Sequence, residues 1–395
     1  MRRIALCALI LAHALAQAAA AQDTITVVHR SGRSLDLGIA GHGISFGNSP
    51  VWTGLRINLT DRDVRRVDGV NITLWRPDRN PDAEFNGLAF GLVGPVAGSI
   101  RGAGIGLVAT VTEQSLGGLA YGTAAVVTGG ALTGFALGGA GVVTGGLHGI
   151  ALSPIAVVSH GDSYGASIAG LATVAQGDMR GINVAGLATV SQGEFRGLGV
   201  AGLATVAQGD MRGLGLAGLA IVSQGDMRGI NAAGLATVAQ GDMTGISFGG
   251  LATVAEGRMR GINLAGLAVV GADGVVGLNV GGAAIAGDRG GVTGLNLTLG
   301  TIETAGPVRW VSFAGYKVDS PDVRGISINP IRLKAVDLTG VAIGGYNRVD
   351  GMQRGLTIGI FNWTRELHGV QVGLLNYAGN NEPPFRLVPI LNAHF

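Results

Sequence analysis

The sequence predicts an all-β repeat fold, a β-solenoid-like stack of sixteen-residue units. Three observations predict it. Glycine recurs every sixteen residues from Gly165 to Gly277, through Gly181, Gly197, Gly213, Gly229, Gly245 and Gly261. Each unit carries β-branched residues such as Ile182, Val184 and Val190, with alternation at its start. Each unit also ends in a turn such as Gln192-Gly193-Glu194. Sixteen residues cannot hold a helix pair and two turns, but they hold two short strands and two turns. Repeats of this kind stack neighbour on neighbour.

Residues 1–21 read as a secretory signal peptide. Arg2 and Arg3 precede an apolar stretch from Ile4 to about Ala16, and Ala19-Ala20-Ala21 offers a small-residue cleavage site. Residues 22–86 read as an N-terminal β segment or cap. They hold short alternating stretches, the charged run Asp61-Arg62-Asp63-Val64-Arg65-Arg66 and a proline-flanked loop near Pro77 to Pro81, the charged and proline segments being read as exposed turns. The Gly-rich repeat domain spans residues 87–395, with its near-identical core at 165–277. Beyond that core the glycines continue at Gly294, Gly325, Gly340, Gly355 and Gly369, with one double-length gap. Residues 114–161 lack Asp, Glu, Lys and Arg, yet glycine about every fourth position disfavours a membrane helix there.

Stacking in register aligns Leu171, Leu187, Leu203, Leu219, Leu235, Leu251 and Leu267. A bend at Ala185-Gly186 is expected to turn this leucine column inward together with Ile182 and Val184, as a two-sided solenoid would need. The alternative architecture is a transmembrane β-barrel with about one strand per repeat, and with it an outer-membrane channel. The leader, Phe395 and the alternating stretch Leu387 to Leu391 favour the barrel. The absence of tryptophan between Trp75 and Trp310, and turns that are alike in every unit, oppose it.

Composition narrows the function. Glycine is 72 of 395 residues, against a usual share of about 7%. The 47% hydrophobic content argues against disorder, and the lack of a Gly-X-Y period excludes collagen. Loss of Arg2 and Arg3 with the leader balances basic and acidic residues, which removes the electrostatic case for nucleic acid. The only cysteine is Cys7, within the leader, so a mature chain would carry no disulfide or thiolate ligand.

Motifs that resemble chemistry have repeat explanations. Gly197 to Gly202 and Gly213 to Gly218 match the dinucleotide fingerprint, which needs a following helix that the pattern does not provide. Gly-x-Ser-x-Gly surrounds Ser45, Ser163 and Ser247 without a partnered histidine and carboxylate. The histidines show no metal-ligand spacing. No catalytic, cofactor or metal site is expected, and no enzyme activity.

The remaining candidates are the turn residues. Asp178, Glu194, Asp210, Asp226 and Asp242 form an acidic column broken at Arg258, and Arg180, Arg196, Arg212, Arg228 and Arg260 form a basic one broken at Thr244. They read as a solvated edge of alternating charge or as a repeated display or binding stripe. Thr173, Thr189, Thr205, Thr237 and Thr253 form a further column interrupted by Ile221 and Val269, read as a ladder within or beside a sheet.

Gly355-Leu356-Thr357-Ile358-Gly359-Ile360-Phe361-Asn362-Trp363 and the unit from Gly369 to Tyr377 precede a terminal segment, Phe385 to Phe395. With Gly87 to Val93, these units resemble a family of bacterial surface-repeat proteins first noted in leptospires. The resemblance covers residues 54–395. The central units depart from it, with the second glycine five positions after the first and Ala188 in place of asparagine. The resemblance implies export to the outer membrane or cell surface of a Gram-negative bacterium. It supplies no functional residues. The expected role is structural or interactive, with envelope components or extracellular ligands as the class of partner. Membrane association, or a periplasmic or secreted location, is compatible with the same features.

Overall fold

The computed structural model describes residues 34–395 except residue 40, so the leader expected at 1–21 lies outside the described residues. All regular secondary structure among them is β. They fall into two compact units, one ending at Ala201 and one running from Gly202 to Phe395. Each unit is a β-solenoid of coils about sixteen residues long.

A coil in the first unit shows the plan. A seven-residue strand, Met179–Ala185, is followed by the turn Gly186-Leu187, a four-residue strand, Ala188–Ser191, and a second turn at Gln192 to Glu194. Each strand pairs in parallel with its equivalent in the next coil. Met179 lies opposite Phe195, Gly181 opposite Gly197, and Thr173 opposite Thr189. The second unit repeats this plan, with Met211 opposite Met227 and Thr237 opposite Thr253. A barrel with one strand per repeat would have antiparallel neighbours, so the parallel register excludes that alternative.

The sixteen-residue glycine marks a bend inside each seven-residue strand. Gly165, Gly181 and Gly197 have φ of 124°, 113° and 127°. A Cβ on Gly181 would lie 2.0 Å from the carbonyl oxygen of Gly165, and one on Gly197 would lie 2.1 Å from that of Gly181. Backbone conformation and space therefore both demand glycine here. The same parallel stacking is already present N-terminal to Gly87, where Gly54, Gly69 and Gly87 lie in register. The double-length gap between Gly294 and Gly325 is filled by a coil whose bend residue is Trp310, at φ 80°.

The side chains face differently from the sequence expectation. Met179, Asn183, Ala185, Thr189 and Ser191 point into the core, while Ile182 is 48% and Leu187 44% exposed. Val184 is half-buried. Odd-numbered positions face inward along Met179–Ala185, and the two-residue turn preserves that parity into the next strand. A sixteen-residue coil encloses a narrow core, so its inward slots take Ala, Ser, Thr and Asn with one long side chain per coil. In this coil the branched aliphatics are left outside, whereas Ile221, Val269 and Ile285 take inward slots in later coils.

Some inward polar groups bond between coils. In the second unit the Asn263 side-chain amide donates to Asn279 Oδ1 at 2.9 Å, and that of Asn279 donates to Asn296 Oδ1 at 2.7 Å. The units that carry the family resemblance do the same. Asn362 sits between Asn347 and Asn376, while Trp363 stacks on Tyr377 outside with ring centroids 5.8 Å apart.

Antiparallel strands flank the coils. Ser34–Ile39 pairs with His42–Gly47 in the first unit, and Leu387–His394 pairs with Gly369 to Tyr377 in the second. Such strands occupy edges that would otherwise template pairing with another chain.

Gly181→Ala should lower the thermal unfolding midpoint, since the left-handed backbone alone costs a non-glycine residue roughly 1–2 kcal/mol. Gly141→Ala, whose Cβ would meet nothing nearer than 3.8 Å, should stay within about 0.5 kcal/mol of the parent. Equal midpoints for the two variants would remove the bend from this account. Trp310→Gly should instead stabilise the chain by about 1 kcal/mol or more, because a strained position is relieved and the indole is 72% exposed. A lower melting temperature for that variant would show that indole packing outweighs the strain.

Candidate functional site

The charged turn columns are built into the stack. The Gln-Gly-Asp turn places its glycine against the carboxylate of the preceding coil. A Cβ on Gly193 would meet Asp178 Oδ1 at 2.4 Å, and one on Gly225 would meet Asp210 Oδ1 at the same distance. With glycine there, the carboxylate reaches past to the next backbone. In the first unit Asp162 Oδ1 accepts the Asp178 N–H at 2.8 Å, and Asp178 Oδ1 accepts the Glu194 N–H at 2.9 Å. In the second, Asp210, Asp226 and Asp242 accept the N–H groups of Asp226, Asp242 and Arg258, each at 2.9 Å.

The second carboxylate oxygen pairs with the arginine two residues on. Arg180 meets Asp178 at 2.9 Å, Arg212 meets Asp210 at 2.8 Å and Arg228 meets Asp226 at 2.7 Å, while Arg196 pairs with Glu194. Thr244 stands where Asp242 would find its arginine. In each unit these residues thus form a hydrogen-bonded ladder along an edge of its coils, with Gln176 and Gln192 exposed beside it in the first and Gln208, Gln224 and Gln240 in the second. The Glu194 N–H, followed by Arg180, holds the Asp178 carboxyl below its ordinary 3.8, and the Asp226 N–H, followed by Arg212, does the same for Asp210.

The other motifs resolve into packing. Gly199 takes the slot that Asn183 occupies one coil earlier, and a Cβ there would lie 2.7 Å from Phe195 Cζ. Gly215 leaves space in the same way, its Cβ falling 2.7 Å from Asn231 Oδ1 and 3.3 Å from Ile221 Cδ1. The fingerprint-like glycines therefore compensate for large inward neighbours, and β-strand rather than helix follows them. Ser45, Ser163 and Ser247 are buried. The threonine column faces inward, with Thr173 Oγ1 donating to Thr189 Oγ1 at 3.1 Å; its breaks, Ile221 and Val269, are equally buried.

One cluster escaped the sequence reading. Asp61, expected in an exposed turn, is wholly buried together with Arg56, at 2.5 Å. Asn71 Oδ1 also accepts from Arg56 Nη1 at 2.7 Å, and Asn58 and Thr73 donate to the Asp61 carboxylate. The signal available was the register of adjacent strands, which sets Arg56 opposite Asn71 and Asn58 opposite Thr73 and so marks a polar core layer. Such a pair is closed to solvent and structural in kind.

Two shallow depressions open on the second unit. One is lined by Asp288, Glu303 and Asp319 among others, the second by Asp242, Arg258, Arg260, Asp273 and Arg289. No group of three or more His, Cys, Asp or Glu among the described residues is arranged to hold a metal ion. No family model, curated protein or solved structure matches the chain.

The lowered Asp178 and Asp210 carboxyls stabilise the fold fully above their ordinary value, and that contribution is lost as pH falls through the lower folded value. A double Asp178→Asn, Asp210→Asn variant keeps an Oδ1 acceptor but cannot titrate. Its melting temperature should fall less steeply than the parent's below about pH 4. Identical acid limbs for the two proteins would deny the ladder that role.

Proposed function

We propose that this chain is an exported envelope repeat protein that acts as a structural or interaction scaffold, not as a catalyst. The observation that carries this reading is the outer surface of the coils. It presents the same side chains at the same positions, rung after rung. A repeated surface suits a partner that is itself extended or repeated. Export and envelope location are supported by the pattern of residues 1–21 and by the resemblance of the units at Gly355 and Gly369 to the leptospiral-type surface-repeat family. Parallel coils leave the channel reading without its strand arrangement.

Expression with the native leader in a Gram-negative host tests this. The expected result is a chain that begins near Gln22 by mass spectrometry and fractionates with the cell envelope. An uncleaved chain in the cytoplasm would overturn it.

A further inference from the structure

We propose that the apolar side of the second unit's coils inserts into one leaflet of a lipid membrane, with the Asp–Arg edge left in water. The inference deepens the scaffold reading above, on which it rests, by naming the partner.

Between residues 202 and 282 every Asp, Glu, Lys and Arg falls in the Gln-Gly-Asp-Met-Arg segment of its coil or at an equivalent position. The rest of each coil's exterior is aliphatic. Leu203, Leu219, Leu235, Leu251 and Leu267 are 43–52% exposed, and Ile230, Ile246 and Ile262 are exposed as well. In a ladder, each outward side chain is half covered by the rungs above and below, so these values describe a side chain pointing directly at solvent. The resulting patch is continuous from coil to coil, and a contiguous apolar surface of that kind marks a protein or membrane contact.

Two arguments favour lipid over a second copy. The apolar surface has two faces, one on strands such as Met227–Ala233 and one on strands such as Ala236–Ala239, and they meet at turns such as Gly234-Leu235. A sheet-to-sheet dimer would cover one face, whereas a leaflet covers both and the turn between them. The depth also fits. Leu219 to Val222 spans about 10 Å at ~3.3 Å per residue, which lies within the ~15 Å that is half of a bilayer's hydrocarbon thickness.

The backbone is ready for such a solvent. At the turn, the N–H groups of Gly234, Leu235 and Ala236 donate to Ala217, Leu219 and Leu219 of the preceding coil at 3.2, 2.8 and 3.0 Å. No donor of that turn is left for water to satisfy, which meets the N–H half of what hydrocarbon requires. Nor does the fold need this exterior to be apolar. Later coils of the same unit place Lys317, Asp319, Arg332 and Lys334 on the corresponding short-strand face.

The test uses the full chain with Cys7→Ala and a single new cysteine, Leu235→Cys on the turn or Gln240→Cys on the polar edge, labelled with an environment-sensitive fluorophore. With vesicles of phosphatidylethanolamine and phosphatidylglycerol, the Leu235 label should shift to the blue and be quenched by lipids carrying a quencher in the acyl chain. The Gln240 label should do neither. Adding Val222→Lys and Val238→Lys, which copy the outward Lys334, should reduce vesicle partitioning at least about tenfold, with melting temperature and β circular dichroism unchanged. Binding that vanishes at high salt, or a shift of both labels alike, would overturn the proposal. So would a Leu235 shift that depends on protein concentration and not on lipid; it would assign the face to a second copy and leave the scaffold reading standing. Because purified protein and synthetic vesicles are used, failure here is separate from failure of export.

Discussion

The coil depends on one close approach, that of a glycine Cα to the carbonyl of the glycine one coil earlier. Gly181 could not carry a side chain without driving it into Gly165. The bend set there allows sixteen residues to return to their starting point one rung higher. It also sets parity, and parity decides which side chains meet in the middle. The parallel register, the narrow core and the aliphatic exterior all follow from that geometry.

A core of this width reverses the usual arrangement of a globular protein. Asn263, Asn279 and Asn296 occupy the interior because stacked amides satisfy one another along the axis, and a buried polar group is tolerated when it is paired. Methionine supplies the long apolar side chain in many coils of the second unit, including Met211, Met227 and Met243. Its unbranched thioether adapts to irregular space, in a slot that Leu147, Leu132 and Ile100 fill in coils of the first unit. Where a column breaks, a neighbour compensates, as Gly215 does for Ile221.

Period, all-β character and solenoid architecture were legible in the sequence, because spacing records stacking directly. Facing was not. Ile182, Val184 and Leu187 look like core residues under the ordinary rule that aliphatics are buried, and only the position of the bend at Gly181 shows that they point outward. The ladder of Asp178, Asp210 and Asp226 was visible as a column, and its arginine partners were visible two residues on. Its bond to the next backbone was not, since it depends on the space left by Gly193 and Gly225. The buried Arg56–Asp61 pair was hidden for a similar reason. A charged run reads as surface unless the register of the flanking asparagines is known.

The carboxylate ladder has a direction. Each aspartate waits for the N–H of the coil that follows it in the chain, never for one that precedes it. The array is therefore polar along its axis, each coil offering an acceptor toward its C-terminal neighbour. Lengthening or shortening it by one whole coil leaves every handover unchanged, which gives a lineage carrying such a sequence a simple way to alter reach without redesigning a contact.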